Sequence, residues 1–152
     1  MRVLGIRCSN SDFAYAILDG TKDTPEVIHL DRLQYPVKYS EPEQLHWFYQ
    51  ELTSIISKYA PAAIVIKEPE PLAKRSNSLD SRLHFESIAL MVAASNGIKH
   101  AGKKPNSTIA KDLGVKGRGK YLKTLDTSFF YGFDSQNEKV KEAILAGWSG
   151  II

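Results

Sequence analysis

The spacing of apolar and polar positions changes several times along the chain, and each change marks an element. Residues 3–7 and 13–19 are apolar-rich runs separated by Cys8-Ser9-Asn10-Ser11-Asp12, a turn-like cluster. Residues 26–35 alternate in part, Val27, His29 and Asp31 against Ile28, Leu30 and Leu33, and read as a third strand. Three consecutive strands on short turns predict an antiparallel meander. Ser40-Glu41-Pro42-Glu43 is then a helix start, with Ser40 as cap, Pro42 in the first turn and Glu43 completing a capping box. Leu45, Phe48, Leu52, Ile55, Ile56 and Tyr59 follow at helical spacing, and Pro61 ends the run.

Residues 62–67 (AAIVIK) form a short apolar run of buried-strand type. Residues 79–96 are helical in pattern, with Leu79, Leu83, Ser87, Leu90 and Ala94 along one edge of the apolar stripe and Gly97 as the stop. A brief strand at 98–101, a short helix at 106–113, a turn at 114–119 and a helical piece at 120–127 come next. A helix over 134–148 closes the chain. Antiparallel strands first, then strands alternating with helices, predict an α/β fold: a five-stranded mixed sheet flanked by helices. The 152 residues suit a single domain, 1–152.

Charge adds one feature. The net charge is +3, but residues 99–123 carry eight lysines and arginines against one acid, Asp112. A basic stretch on an otherwise acidic body points toward a polyanion, DNA or RNA, with Lys103, Lys104, Lys116, Arg118 and Lys120 as the contacts. The alternative is a solvated lysine-rich surface. Lys116-Gly117-Arg118-Gly119-Lys120 lacks the spacing of a nucleotide-binding loop, yet suits a loop that tracks a nucleic acid backbone.

The single cysteine, Cys8, excludes an internal disulfide framework, and no His and Cys spacing fits a zinc site. No basic segment followed by a long apolar run opens the chain, and no run approaches the ~20 apolar residues of a membrane span, so a cytoplasmic protein with no membrane partner is expected. His29, His46, His84 and His100 lack suggestive neighbours and read as structural. Trp47-Phe48-Tyr49 and Phe129-Phe130-Tyr131 are aromatic clusters. Such clusters more often fill a core edge or an interface than stack on bases.

Several short segments, in shared order, carry a resemblance. Leu4-Gly5-Ile6-Arg7-Cys8-Ser9-Asn10 ends a first strand; Pro61-Ala62-Ala63-Ile64-Val65-Ile66-Lys67-Glu68 forms a later one. A long helix, a strand, a segment led by Pro105 and the basic loop Gly117-Arg118-Gly119-Lys120 follow, and Glu142-Ala143-Ile144 lies in the last helix with Lys139 three residues earlier. In this order the chain resembles the RuvC-type four-way junction resolvases, a branch of the ribonuclease H-like fold, over nearly its whole length. It is also similar to small bacterial RuvC-like proteins with a Lys-Glu pair ending the later strand. The resemblance implies a ribonuclease H-like fold and carboxylates converging on two divalent ions.

The departures fall on those carboxylates. The first acid of the family pattern is Arg7, the second Lys67 without a gap, the third Lys139, and only the fourth, Glu142, is acidic. A second register for the last helix places the pair on Glu138 and Lys141. Glu68 replaces Lys67 only if the strand end bulges, because adjacent strand residues point to opposite faces. Asp12 could lean in from the first turn.

Arg7, Lys67 and Lys139 are expected to face one another. They form either an anion pocket in place of a metal pocket or an ion-pair cluster that neutralises Glu68 and Glu142. Partly buried charges are usually paired, which favours the cluster. The leading expectation is a catalytically degenerate RuvC-like protein that binds structured nucleic acid without a cofactor. One alternative is an active nuclease that uses Glu68, Glu142 and Asp12 with magnesium or manganese. Another is a protein-interaction module with no nucleic acid ligand. Pairing with a second copy of the chain stays open.

Overall fold

The computed structural model describes residues 1–116 and 119–152, the side chains of 119–121 excepted. Five strands, β1 (Val3–Cys8), β2 (Asp12–Gly20), β3 (Pro25–Gln34), β4 (Ala63–Lys67) and β5 (His100–Lys104), form one sheet in the order β3-β2-β1-β4-β5. The first three are antiparallel neighbours, and β4 and β5 run parallel to β1. The meander and the mixed sheet therefore stand as the hydrophobic pattern predicts.

Helices cover both faces. On one, α1 (Glu41–Tyr59) and α2 (Asn77–Ser95) enclose a core built from Phe13, Tyr35, Phe48, Phe85 and the aliphatic residues of β1 and β4. Tyr35 and Phe85 stack with ring centroids 3.9 Å apart. On the other face, α3 (Asn106–Asp112) and α4 (Glu138–Ser149) pack with Val3, Ala14, Leu18 and Val65. Burial of side chains of this size stabilises by roughly 1.5–3 kcal/mol each, which is why a central strand such as β1 carries an apolar run on both faces.

The α1 start follows its sequence signal. The Ser40 N–H donates to Glu43 Oε1 at 3.0 Å, one half of a capping box. Ser76, at the N-cap of α2, accepts from the Leu79 N–H at 3.1 Å. The buried face of α2 is Phe85, Glu86, Ala89, Val92 and Ala93, while Leu79, Leu83 and Leu90 are half-buried. Both faces of this helix are rich in apolar residues, so spacing alone does not single out the core side.

Three segments differ from expectation. The fifth strand lies at His100–Lys104 rather than 98–101, which places Lys103 and Lys104 inside the sheet. The last helix begins at Glu138, because Asn137 caps it through the Lys139 N–H at 2.9 Å, and a separate 3-10 turn holds Phe133–Ser135. The helical piece expected at 120–127 is a 3-10 helix at Gly119–Thr124.

The seat of α4 on β1 is unusually close. A Cβ added at Gly5 would lie 2.0 Å from the Ala143 carbonyl oxygen and 2.6 Å from the Gly147 nitrogen. Only a residue without a side chain lets the helix backbone approach the strand this closely. No described helix is long and apolar enough to cross a membrane.

Candidate functional site

The carboxyl ends of β1 and β4 carry the chemistry. The turn after β1 is tight: the Ser9 N–H donates to the Asp12 carbonyl at 2.9 Å. Tyr35, just after β3, clamps it by donating its hydroxyl to the Ser9 carbonyl at 3.1 Å. The turn therefore holds Asp12 in place, only 6% exposed. Because α4 lies against Gly5, its first turns pass directly over Arg7 and Asp12.

Arg7 donates from Nε to Glu142 Oε2 at 2.5 Å and from Nη1 to the Cys8 carbonyl. Lys139, one helical turn before Glu142, donates to Asp12 Oδ1 at 2.7 Å and to Ser9 Oγ at 3.1 Å. Arg32 reaches the other Asp12 oxygen at 3.1 Å from the neighbouring strand. Of the two candidate pairs in the last helix, Lys139 and Glu142 are the one that meets the end of β1. Glu138 pairs instead with Lys141 at 3.2 Å, on the outer side, with its side chain 84% exposed.

Lys67 occupies the inward position on β4. The β4–β5 register runs unbroken through Lys67↔Lys104, and the Glu68 N–H continues it by donating to the Lys104 carbonyl at 3.1 Å. No bulge brings Glu68 inward. Lys67, 3% exposed, donates to Glu70 Oε1 at 3.0 Å and to the Glu68 carbonyl at 2.5 Å. The Glu68 carboxylate is half-buried and has no ion-pair partner among the described residues.

A second layer of charge was not foreseen from the sequence. Glu86 on α2 is 0% exposed. Arg82 Nε donates to Glu86 Oε2 at 2.8 Å, and Arg82 Nη2 to the Lys67 carbonyl at 2.8 Å. Lys103 Nζ lies 2.7 Å from Glu86 Oε1, close enough for an ion pair but outside hydrogen-bond geometry. The available signal was an Arg-Glu pair four residues apart, with Phe85 before the acid and Ala89 three residues after it.

These neighbours move proton affinities. Burial pushes the Asp12 carboxyl up, but hydrogen bonds from Lys139 and Ser9 and the charges of Lys139 and Arg32 outweigh it and hold it below its ordinary 3.8. Glu70 is likewise lowered, by Lys67 and the Asn106 N–H against a burial penalty. Burial pulls the Arg82 guanidinium down, and the Arg7 charge adds to this, while Glu86 and Glu142 oppose it. Burial, reinforced by Glu86, raises the Cys8 thiol far above its ordinary value, and the side chain is fully buried.

The residues present do not fit a divalent ion. Among the described residues no group of three or more His, Cys, Asp or Glu is placed to hold one. Asp12 and Glu142 already face Lys139 and Arg7. A fixed cation at that range repels a metal ion strongly in a partly dehydrated site.

The basic segment is dispersed. Lys103 and Lys104 project to opposite faces of the sheet, as adjacent strand residues must. Lys103 meets Glu86, and Lys104 meets Asp112 at 2.7 Å and the Ser149 carbonyl at 3.1 Å. Lys99, Lys111, Lys116 and Lys123 are exposed. Arg118 and the Lys120 side chain lie outside the described residues. His84 pairs with Glu41 at 2.7 Å on the surface, and His29 stacks on Tyr59. Phe130 packs edge-on against Trp148, whereas Tyr131 is fully exposed.

No family model matches the sequence, and no curated protein sequence does. Solved structures match at the level of fold. Thermus thermophilus RuvC superposes with a TM-score of 0.75 at 12% identity, covering 98% of this chain and 92% of that one. The same protein in complex with a Holliday junction substrate gives 0.74 at 11%, covering 98% and 91%. The yeast mitochondrial Holliday junction resolvase gives 0.60 at 16%, covering 98% and 79%. The sheet order, the helices on both faces and these superpositions together establish that the chain has the ribonuclease H-like fold in its RuvC-type form.

Proposed function

We propose that the chain binds structured nucleic acid and does not cleave it by a metal-dependent route. The observation that carries this reading is the pairing of Arg7 with Glu142 and of Lys139 with Asp12. Two-metal cleavage needs free carboxylates to hold the ions that activate water and stabilise the scissile phosphate. Here the carboxylates at the end of β1 hold protein cations instead. A nuclease acting through Glu68, Glu142 and Asp12 would have to break both pairs first. Nucleic acid as the ligand is supported by the likeness to resolvases solved with junction DNA and by the exposed Lys99, Lys111, Lys116 and Lys123.

The test uses a synthetic four-way DNA junction and a matched duplex, in EDTA and in magnesium or manganese. The expected result is a salt-dependent shift that does not need metal, and intact junction after prolonged incubation. Metal-dependent cleavage lost in Glu142→Gln would overturn the non-catalytic half. Absence of binding at low salt would remove nucleic acid and leave the interaction-module reading.

A further inference from the structure

The charges at the end of β1 do not balance one to one. Arg7 pairs with Glu142 and Lys67 with Glu70. Asp12, however, holds both Lys139 and Arg32, and Glu86 holds both Arg82 and Lys103. Two carboxylates thus each face two cations. The half-buried Glu68 offsets one of the two surplus charges, and the network stays positive.

Two of these cations are arginines, Arg7 paired with α4 and Arg82 with α2. A guanidinium carries five N–H donors in a planar fork. Arg7 engages Nε and Nη1, and Arg82 engages Nε and Nη2. Arg7 Nη2 and Arg82 Nη1 make no hydrogen bond among the described residues. The two side chains are 17% and 12% exposed. Arg82 is anchored on the carbonyl of Lys67, and Lys67 lies beside Arg7, one step beyond the Ile6↔Ile66 register, on strands about 4.8 Å apart. A cleft of about 920 Å³ lies beyond Glu70 and Glu142, the partners of Lys67 and Arg7; neither arginine lines it, and Lys123 and Lys141 are its cations.

We propose that Arg7 and Arg82 form a two-armed phosphate site at the end of β1, binding directly the anion that a metal-dependent site would hold through its ions. The proposal rests on the nucleic-acid reading only for the source of the phosphate, a backbone phosphodiester rather than a free phosphate. Charge-assisted bonds from two guanidiniums in a partly dehydrated setting are the strong kind. The Arg7 charge already acts on Arg82, lowering its proton affinity second only to burial, so the two forks share one field. An anion between them relieves that repulsion.

The experiment has two arms. In the first, arginine Nε–Hε resonances of the wild-type protein are followed by NMR during titration with inorganic phosphate in EDTA. Shifts confined to two arginines, assigned through Arg7→Lys and Arg82→Lys, are expected. In the second, four-way junction affinity is measured for wild type and both lysine variants across salt concentrations. Lysine keeps the charge and loses the fork, so affinity should fall about tenfold or more with little change in salt slope. Junction binding that is equal in all three proteins, with no arginine resonance moved by phosphate, would overturn the site and leave the proposed function standing. Phosphate shifts at both arginines without junction binding would support the site, with free phosphate as its source, and overturn the nucleic-acid reading. If a lysine variant fails to fold, the wild-type titration decides alone, because unmoved resonances reject the site.

Discussion

Neutralising Glu86 is the sharpest perturbation of the charge network. Glu86→Gln keeps the shape of the side chain and removes the charge that Arg82 and Lys103 share. Truncating one partner of a buried ion pair costs about 3–5 kcal/mol, because the remaining charge is left dehydrated. The low end applies here. Arg82 retains its bond to the Lys67 carbonyl, and the Lys103 side chain is 25% exposed and can turn to water. The expected loss is therefore about 3 kcal/mol, or roughly 6–12 °C in melting temperature for a chain of this length.

Thermal and urea unfolding followed by circular dichroism measure the loss, with an unchanged urea m-value as the check that the unfolded state is the same. A companion variant, Glu86→Leu with Arg82→Met and Lys103→Met, removes all three charges. It should be more stable than Glu86→Gln, falling short of wild type by about 1 kcal/mol for the lost Lys67 carbonyl bond. A melting shift under about 2 °C for Glu86→Gln, or a triple variant less stable than the single one, would refute the reasoning.

Gly5→Ala forces a methyl group into the backbone of α4 and should cost more than about 3 kcal/mol, beyond ordinary overpacking, which purification yield and melting temperature both report. Arg7→Asp alone leaves Lys67 and Lys139 in place and should show no rise in melting temperature with manganese. Arg7→Asp with Lys67→Glu and Lys139→Asp rebuilds a carboxylate set and should show one, because the ion then binds only the folded state. Asp12 has a folded carboxyl value below its ordinary 3.8, so its contribution is complete above that value and disappears as pH falls through the folded one. Asp12→Asn should therefore flatten the loss of stability as pH falls below the ordinary 3.8, while lowering stability at neutral pH.

Much of the fold was legible because its punctuation is local. Ser40 through Glu43, Pro61 and Gly97 each act within a few residues, and the early strands are separated by short polar turns. The positions of Arg7, Lys139 and Glu142 were legible for a related reason, since each lies at a fixed offset within its own strand or helix. Arg82 and Glu86 were not. A buried charge pair looks like any exposed i,i+4 pair until the strand that covers it is known, and the other cation, Lys103, comes from a distant strand. That strand was itself placed too early, which left Lys103 and Lys104 in a loop where they read as one basic footprint. Moving it to His100–Lys104 sends the two lysines to opposite faces and into separate ion pairs. Exposed apolar residues such as Leu72 and Tyr131 leave no periodic trace at all.

The contact between Gly5 and α4 bears on how related chains should be aligned. Acidic positions are poor landmarks in this fold when acids have been exchanged for arginine and lysine. A backbone contact is a better one, because it tolerates only the smallest side chains. A Cβ at Gly147 would lie 2.6 Å from Leu18 Cδ1, a side-chain end that can turn aside, and 3.3 Å from the Gly5 nitrogen, so Gly5 is the stricter side of the contact. Sliding α4 by one residue would rotate Glu142 by about 100° away from Arg7 and bring a bulkier residue than Gly147 against the strand. An alignment anchored on these glycines fixes which residue of the last helix faces the end of β1, whatever charge it carries.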